Sequence, residues 1–323
     1  MNLVFTCGGT AGHINPAIAV AKEMCRRHPD CKVLFIGAQG HMEEKLVPQA
    51  GFELKTLPGS GLSRKLNGKG IKQNFHAAKC VLDAVKKCKE IFREFRPDVI
   101  IGTGGYASFP ALYAGAQMGI PTCVHESNAV PGLTTKLAAR KASRVLVAFA
   151  ESVRYYGNPD KVEVVGMPVR REFIYTTREE ARKELGIGEE PLVVSAFGSL
   201  GARVMNETVA EMFRLEQADG FPFRHIHATG SFGWEWMPRL VREKGVDPDT
   251  VDAIDMREYI YDMPTVMDAA DVIISRAGAS TCNEIAAAGI PAILIPSPNV
   301  TNHHQEKNAN LMAERDASVT IPE

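Results

Sequence analysis

Gly278 and Glu284 sit in a stretch, residues 272–296, that reads as a buried strand, a small-residue turn, a short helix and a second buried strand. A turn of this kind aims free backbone N–H groups at an anion, and a carboxylate on the helix's first turn can accept both hydroxyls of a ribose. A nucleotide diphosphate is the natural occupant. The plainer alternative for Glu284 is a charge placed to suit the helix dipole. Ser199 lies in a second such turn, Phe197 to Arg203, where a hydroxyl and neighbouring N–H groups suit a pyrophosphate. His13 closes a third, Gly8-Gly9-Thr10-Ala11-Gly12-His13. An imidazole with a near-neutral pKa is a candidate general base there. The glycines of that loop either let a substrate approach the backbone or simply make a tight turn.

Other chemistry-bearing residues fare less well. The loop at residues 8–13 lacks the G-x-G-x-x-G order, and no acidic residue ends the strand finishing Ile36-Gly37-Ala38, which disfavours a dinucleotide site. Gly68-Lys69 is followed by Gly70, so there is no Walker A loop. His303 and His304 are adjacent and point apart, which argues against a metal. His225 and His227 share one face of a strand, with nothing nearby in sequence to complete a site. Asp247 and Asp249 flank a proline and read as a solvated turn.

Four βα units must position these loops. Apolar runs at Asn2–Thr6, Val99–Ile101, Leu192–Ala196 and from Val272 each meet a small-residue turn and then a helical pattern. The helices are expected near Pro16–Arg27, Ala111–Met118, Val204–Phe213 and after Gly278. Further strands are expected at Val33–Ile36, Thr122–His125, Val145–Ala148, Val162–Val165 and His225–Ala228. Strands alternating with helices imply parallel sheets with ligands at the strands' carboxyl ends. The loops divide two and two around residues 165–170. The expected architecture is therefore α/β, with two Rossmann-like, doubly wound domains, 1–165 and 166–323, and a cleft between their facing loops.

The gross numbers agree. A chain of 323 residues with 45% hydrophobic and 23% charged residues suits two ordinary globular domains. A net charge of −1 argues against general nucleic-acid binding. Seven scattered cysteines, never spaced C-x-x-C, suit free thiols in a reducing compartment. No run approaches the ~18 apolar residues of a membrane span, so a cytosolic protein, or one resting on a membrane from the cytosolic side, is expected. Between Gly61 and Arg96, ten Lys or Arg face three acids, interleaved with apolar residues. That segment is either a surface for anionic lipid or a solvated helix whose apolar stripe packs inward.

Taken together, these loops resemble the MurG family of peptidoglycan N-acetylglucosaminyltransferases over nearly the whole chain. The marks are Gly8 to His13, Gly104-Gly105-Tyr106, His125 to Asn128, Gly166 to Arg170, Gly198 to Ala202, and Ser275 to Pro296. The resemblance implies the GT-B fold. It also implies inverting transfer of GlcNAc from UDP-GlcNAc to the C4 hydroxyl of MurNAc-pentapeptide on undecaprenyl pyrophosphate (lipid I), at the cytoplasmic membrane leaflet, with no metal, no cofactor and no nucleic-acid partner. By the same resemblance the backbone at Ile260 reads the uracil edge and Glu284 binds the ribose. Ser199, Ala279, Ser280 and Thr281 meet the diphosphate, Arg170 reaches the nucleotide, and Gln305 the GlcNAc hydroxyls. Thr10, Ala11, Gly12 and Asn128 contribute donor contacts from the first domain, and Gly104, Gly105 and Tyr106 face the acceptor pyrophosphate. The sequence departs from the family at Ala11, Met167, Phe197, Leu200 and His304, and relatives carry further helices beyond Glu323. A UDP-GlcNAc epimerase of the same fold, or a non-catalytic binding subunit, is the main alternative reading.

Overall fold

The βα units close into two parallel sheets. The structure is a computed structural model that describes residues 1–58, 68–300 and 303–323, without the side chains of 68–78. The chain divides into two units, Met1–Pro168 and Val169–Glu323.

In the first unit the strands are β1 (Asn2–Thr6), β2 (Lys32–Ala38), β3 (Glu53–Leu57), β4 (Val99–Gly102), β5 (Thr122–Glu126), β6 (Arg144–Val147) and β7 (Val162–Val164). They lie in the order β3-β2-β1-β4-β5-β6-β7, every pair parallel. Helices α1 (Ala11–Arg27), α2 (Glu43–Gln49), α3 (Gly68–Phe95), α4 (Ser108–Gln117) and α5 (Leu133–Ala139) cover the two faces. Leu3 and Phe5 pack with Ile14 and Ala17 of α1 on one face, while Val4 joins Ile100 and Leu112 on the other. Burial on both faces is why β1 is an unbroken apolar run.

The second unit begins with α6 (Glu172–Tyr175) and α7 (Arg178–Glu184). It then alternates β8 (Leu192–Ala196), α8 (Arg203–Ala218), β9 (Arg224–Ala228), α9 (Met237–Glu243), β10 (Ile254–Arg257) and α10 (Met263–Ala269). The last elements are β11 (Val272–Ser275), α11 (Ala279–Ala288), β12 (Ala292–Leu294), α12 (His304–Ala313) and β13 (Ser318–Thr320). The sheet order is β10-β9-β8-β11-β12-β13, again parallel throughout. In both sheets the order reverses beside the first strand, between β1 and β4 and between β8 and β11. Crevices for ligands form outside the carboxyl ends of strands at such points. The four loops singled out in the sequence are the loops that leave these four strands.

Two expected boundaries move. Helix α1 starts at Ala11, not near Pro16, so His13 lies inside its first turn and not in the loop. Pro16 is accommodated within the helix at the cost of one backbone bond, to the Gly12 carbonyl. Helix α11 begins at Ala279 after an extended Gly278, which leaves no acidic residue in its first turn. Glu284 is therefore one turn further in than expected, and the helix dipole does not account for it.

Of the basic segment, residues 61–67 and the side chains of 68–78, Lys72 among them, lie outside the described residues. In the rest of α3, Ala84, Val85, Cys88, Ile91 and Phe92 are buried in the core. Lys79, Lys86 and Lys87 are exposed, as is Leu82 at 69%. This part of the apolar stripe packs inward. No helix among the described residues is long and apolar enough to cross a membrane.

Candidate functional site

In the first unit two glycine loops pack directly on one another. A Cβ on Gly105, whose φ is +85°, would fall 2.2 Å from the Gly8 carbonyl oxygen. A Cβ on Gly104 would fall 2.7 Å from Nδ1 of His13. His13 Nδ1 lies 3.1 Å from the Thr103 carbonyl oxygen, and the Thr103 hydroxyl donates to the His13 carbonyl at 2.6 Å. Ser108, at the start of α4, donates to the carbonyls of Thr6 and Gly104. The structure thus joins His13 to the loop of Gly104 and Gly105 and makes loop-to-loop contact a reason for both glycines.

Beneath the first loop lies Glu43, fully buried. Its two carboxyl oxygens accept from Gly9 N at 3.1 Å and Ala38 N at 2.7 Å. The same side chain fills the space beside Gly8 and Gly37, where a Cβ would come within 2.7 and 2.5 Å of it. Sequence reasoning missed Glu43 and Thr103, since nothing local marks either as a brace for residues far away in the chain. Thr10 is the N-cap of α1 and makes no side-chain cap; its carbonyl accepts from His13 N at 3.0 Å and Ile14 N at 3.2 Å. Asn128 is oriented by buried Glu126, which accepts from both its backbone N and its Nδ2 at 2.9 and 3.0 Å.

The second unit builds its loops differently. The turn after β8 leans on the chain after β9. Ser231 N donates to the Ser199 carbonyl and Phe232 N to the Leu200 carbonyl, each at 3.2 Å. A Cβ on Gly201 would strike the Thr229 carbonyl oxygen at 2.0 Å, so backbone meets backbone there. Asn206 in α8 donates to the same Thr229 carbonyl at 2.7 Å. Helices α8 and α11 start at Ala202 and Gly278 without side-chain caps. Their first N–H groups, beside Ser199 in one case and at Ala279, Ser280 and Thr281 in the other, suit an anion.

Glu284 is 13% exposed and lies 3.9 Å from Nη2 of Arg170, so this unit brings two of the expected donor residues together. Burial pushes its carboxyl up to about 7, against the opposing pull of the Arg170 charge. Arg170 also stacks 5.1 Å over the Phe173 ring. Ile260 is buried in the segment between β10 and α10. Gln305, in the first turn of α12, accepts through Oε1 from Ser297 N at 2.9 Å, which fixes the loop after β12.

His225 and His227 do have company. Glu216 Oε1 lies 2.9 Å from His225 Nδ1, and Ser195 Oγ lies 2.7 Å from both His225 Nε2 and His227 Nδ1. The chain is buried under Phe213, and burial next to His225 pushes His227 down to about 3. It is a core network across β8, β9 and α8. His303 is exposed and contacts Glu306, and Asp247 and Asp249 both pair with Arg242. Among the described residues no cluster could hold a metal ion.

The comparisons with known proteins agree with one another. Residues 3–147 match the glycosyltransferase family 28 N-terminal domain and residues 192–323 its C-terminal domain. The chain is similar to the UDP-N-acetylglucosamine--N-acetylmuramyl-(pentapeptide) pyrophosphoryl-undecaprenol N-acetylglucosamine transferase of Acetivibrio thermocellus, at 41% identity over 100% of this chain and 85% of that protein. The same-named protein of Thermoanaerobacter sp. is 42% identical, covering 100% and 86%. Among solved structures, Acinetobacter baumannii MurG superimposes with a TM-score of 0.70 at 27% identity, covering 99% of this chain and 86% of that one. A UDP-GlcNAc 2-epimerase from Methanocaldococcus jannaschii shares the fold at a TM-score of 0.63 and 10% identity, covering 100% and 89%.

Proposed function

This chain belongs to glycosyltransferase family 28 and to its peptidoglycan N-acetylglucosaminyltransferases, and from that premise we propose a division of labour in which the second unit holds UDP-GlcNAc and the first supplies the base. The enzyme transfers GlcNAc, with inversion, to the C4 hydroxyl of the MurNAc-pentapeptide of lipid I, which makes lipid II. The observation that carries the donor site is the buried Glu284 beside Arg170 in the helix that follows Gly278. A ribose diol can donate to the carboxylate while the uncapped helix starts face the diphosphate. Ser199, Ala279, Ser280 and Thr281 take the diphosphate, the backbone at Ile260 the uracil, and the Gln305 amide the sugar. Thr10, Ala11, Gly12 and Asn128 complete donor contacts from the first unit, and Gly104, Gly105 and Tyr106 serve the acceptor side.

Rupture of the sugar–phosphate bond leaves positive charge on the anomeric carbon and negative charge on departing UDP. Main-chain N–H groups and Arg170 stabilise that UDP. His13 takes the proton of the attacking hydroxyl as the new C–O bond forms.

Radiolabel transfer from UDP-GlcNAc to a short-chain lipid I analogue tests the reading. Labelled disaccharide lipid is expected; formation of ManNAc from UDP-GlcNAc without acceptor would mean epimerase chemistry instead. A lipid-linked acceptor supports a reading in which the enzyme works at the cytoplasmic face of the membrane, with exposed Lys79 and Lys86 towards anionic headgroups. Co-sedimentation with vesicles containing anionic phospholipid is expected to weaken with salt and with charge reversal at these lysines. Binding indifferent to both would remove α3 from that role.

A further inference from the structure

The contact between the loop after β4 and helix α1 goes beyond packing. His13 Nδ1 faces the Thr103 carbonyl oxygen at 3.1 Å, and a carbonyl can only accept. The proton of that bond therefore belongs to Nδ1, and in the neutral ring the lone pair lies on Nε2. The Thr103 hydroxyl simultaneously donates to the His13 carbonyl at 2.6 Å, so one residue grips both the ring and the main chain of the other. Gly104 supplies the space. Its φ of +110° is one that L side chains rarely adopt, and a Cβ would lie 2.7 Å from Nδ1 and 2.9 Å from Cε1 of the ring.

We propose that Thr103 and Gly104 are positioning residues that fix His13 in the Nδ1–H tautomer and so put its basicity on Nε2. The catalytic part of this rests on His13 being the base; the tautomer does not. A protonated Nδ1 bonded to a main-chain acceptor orients the imidazole before any hydroxyl arrives. The base then needs neither a tautomer change nor a ring flip to receive the proton. Gly104 owes its identity to the imidazole as much as to anything on its other side.

The experiment is nitrogen-15 NMR of the histidine rings in the intact protein at a pH where the rings are neutral, with His13 identified by its loss in His13→Gln. Nδ1 is expected to resonate as a pyrrole-like nitrogen and Nε2 as a pyridine-like one. Gly104→Ala should turn this into a tautomer mixture and lower kcat by about 10²-fold, the scale set by misplacing a reacting group by an ångström. Thr103→Val should lower kcat by about tenfold, with the donor KM within about twofold, and Thr103→Ser should restore it. A pyridine-like Nδ1 in the wild type, or an unchanged tautomer in a folded Gly104→Ala protein, would overturn the proposal. Because the wild-type spectrum needs no variant, failure of Gly104→Ala to fold does not rescue the idea. Should the tautomer be as expected while His13→Gln turns over normally, the base assignment falls and the tautomer assignment stands.

Discussion

Glu43 and Glu284 are both carboxyl groups taken out of water behind a glycine turn, one in each unit, and the chain uses them in opposite ways. Glu43 has both oxygens committed to main-chain N–H groups, at Gly9 and Ala38, and shapes its loop from beneath. Glu284 has no such bonds among the described residues; it has only Arg170 at 3.9 Å, and its carboxyl is pushed up to about 7. A carboxyl whose hydrogen-bonding capacity is already filled is architecture. One that is largely buried but accepts from no main-chain N–H among the described residues keeps acceptor capacity for a ligand, and a ribose diol can use it. The loops follow the same division. In the first unit the side chains of Glu43, Thr103 and Ser108 pin them around a single imidazole, whereas in the second the turn after β8 leans chiefly on neighbouring main chain.

If the first unit is built around chemistry and the second around holding the donor, substitutions should separate kcat from binding. His13→Ala is expected to lower kcat by about 10²–10⁴-fold, the usual worth of a general base, with UDP affinity by calorimetry unchanged. Near-normal turnover would break the contrast at its strongest point. Glu284→Ala should do the reverse, raising the KM for UDP-GlcNAc about 10–100-fold with little change in kcat, as expected for lost hydrogen bonds to a charged group. A variant whose donor dependence is unchanged would make Glu284 as structural as Glu43.

Glu43→Gln sharpens the other side. An amide can accept from only one of the two N–H groups and turns its own NH2 towards the second. Urea unfolding should show a loss of about 1–3 kcal/mol, and calorimetry no loss of UDP affinity. Unaltered stability would mean that Glu43 does not brace the loop.

The smallest effect is pH dependence. A carboxyl held at about 7 is largely neutral at pH 6 and ionised at pH 8, and only the ionised form accepts from both ribose hydroxyls. UDP should therefore bind more tightly as pH rises across that range, by less than about tenfold, and Glu284→Gln should flatten the curve. Stability of the empty protein runs the other way. A carboxyl raised from 4.5 to about 7 on folding costs stability as pH climbs through that interval. Unfolding midpoints in urea across the same range read this directly.

What is legible in the sequence follows from where each element sits. Strands β1, β8 and β11 are sheet interiors covered on both faces, and their unbroken apolar runs mark them out. Strands β3, β10 and β13 each lie at an edge of their sheet, and the sequence pattern does not reveal them. Edge strands keep half-exposed polar residues such as Lys55, Asp255 and Ser318, which dilute the signal. The loops carrying Ser199, Gly278 and Gly8 are readable because a turn of glycine and other small residues straight after an apolar run is the pattern of a buried strand turning into a helix. The start of α1 is harder to place because its first turn, Ala11-Gly12-His13, is made of residues that also suit a turn. Glu43 and Thr103 are hidden for a different reason. Each acts across a large sequence separation, Glu43 on the loop at Gly9 and Thr103 on His13 in α1, and no local pattern encodes such a partner.

The division of the chain at Pro168 and Val169 has a consequence for how the protein is made. Every strand of the first sheet, β7 included, has been synthesised by Val164, and none has to wait for a partner from the later half. On a ribosome adding ~5–20 residues per second, that half can emerge and fold during the several seconds or more in which the remainder is still being translated. The chain thereby avoids exposing two unfinished parallel sheets, with their raw edges, in the same compartment at the same moment.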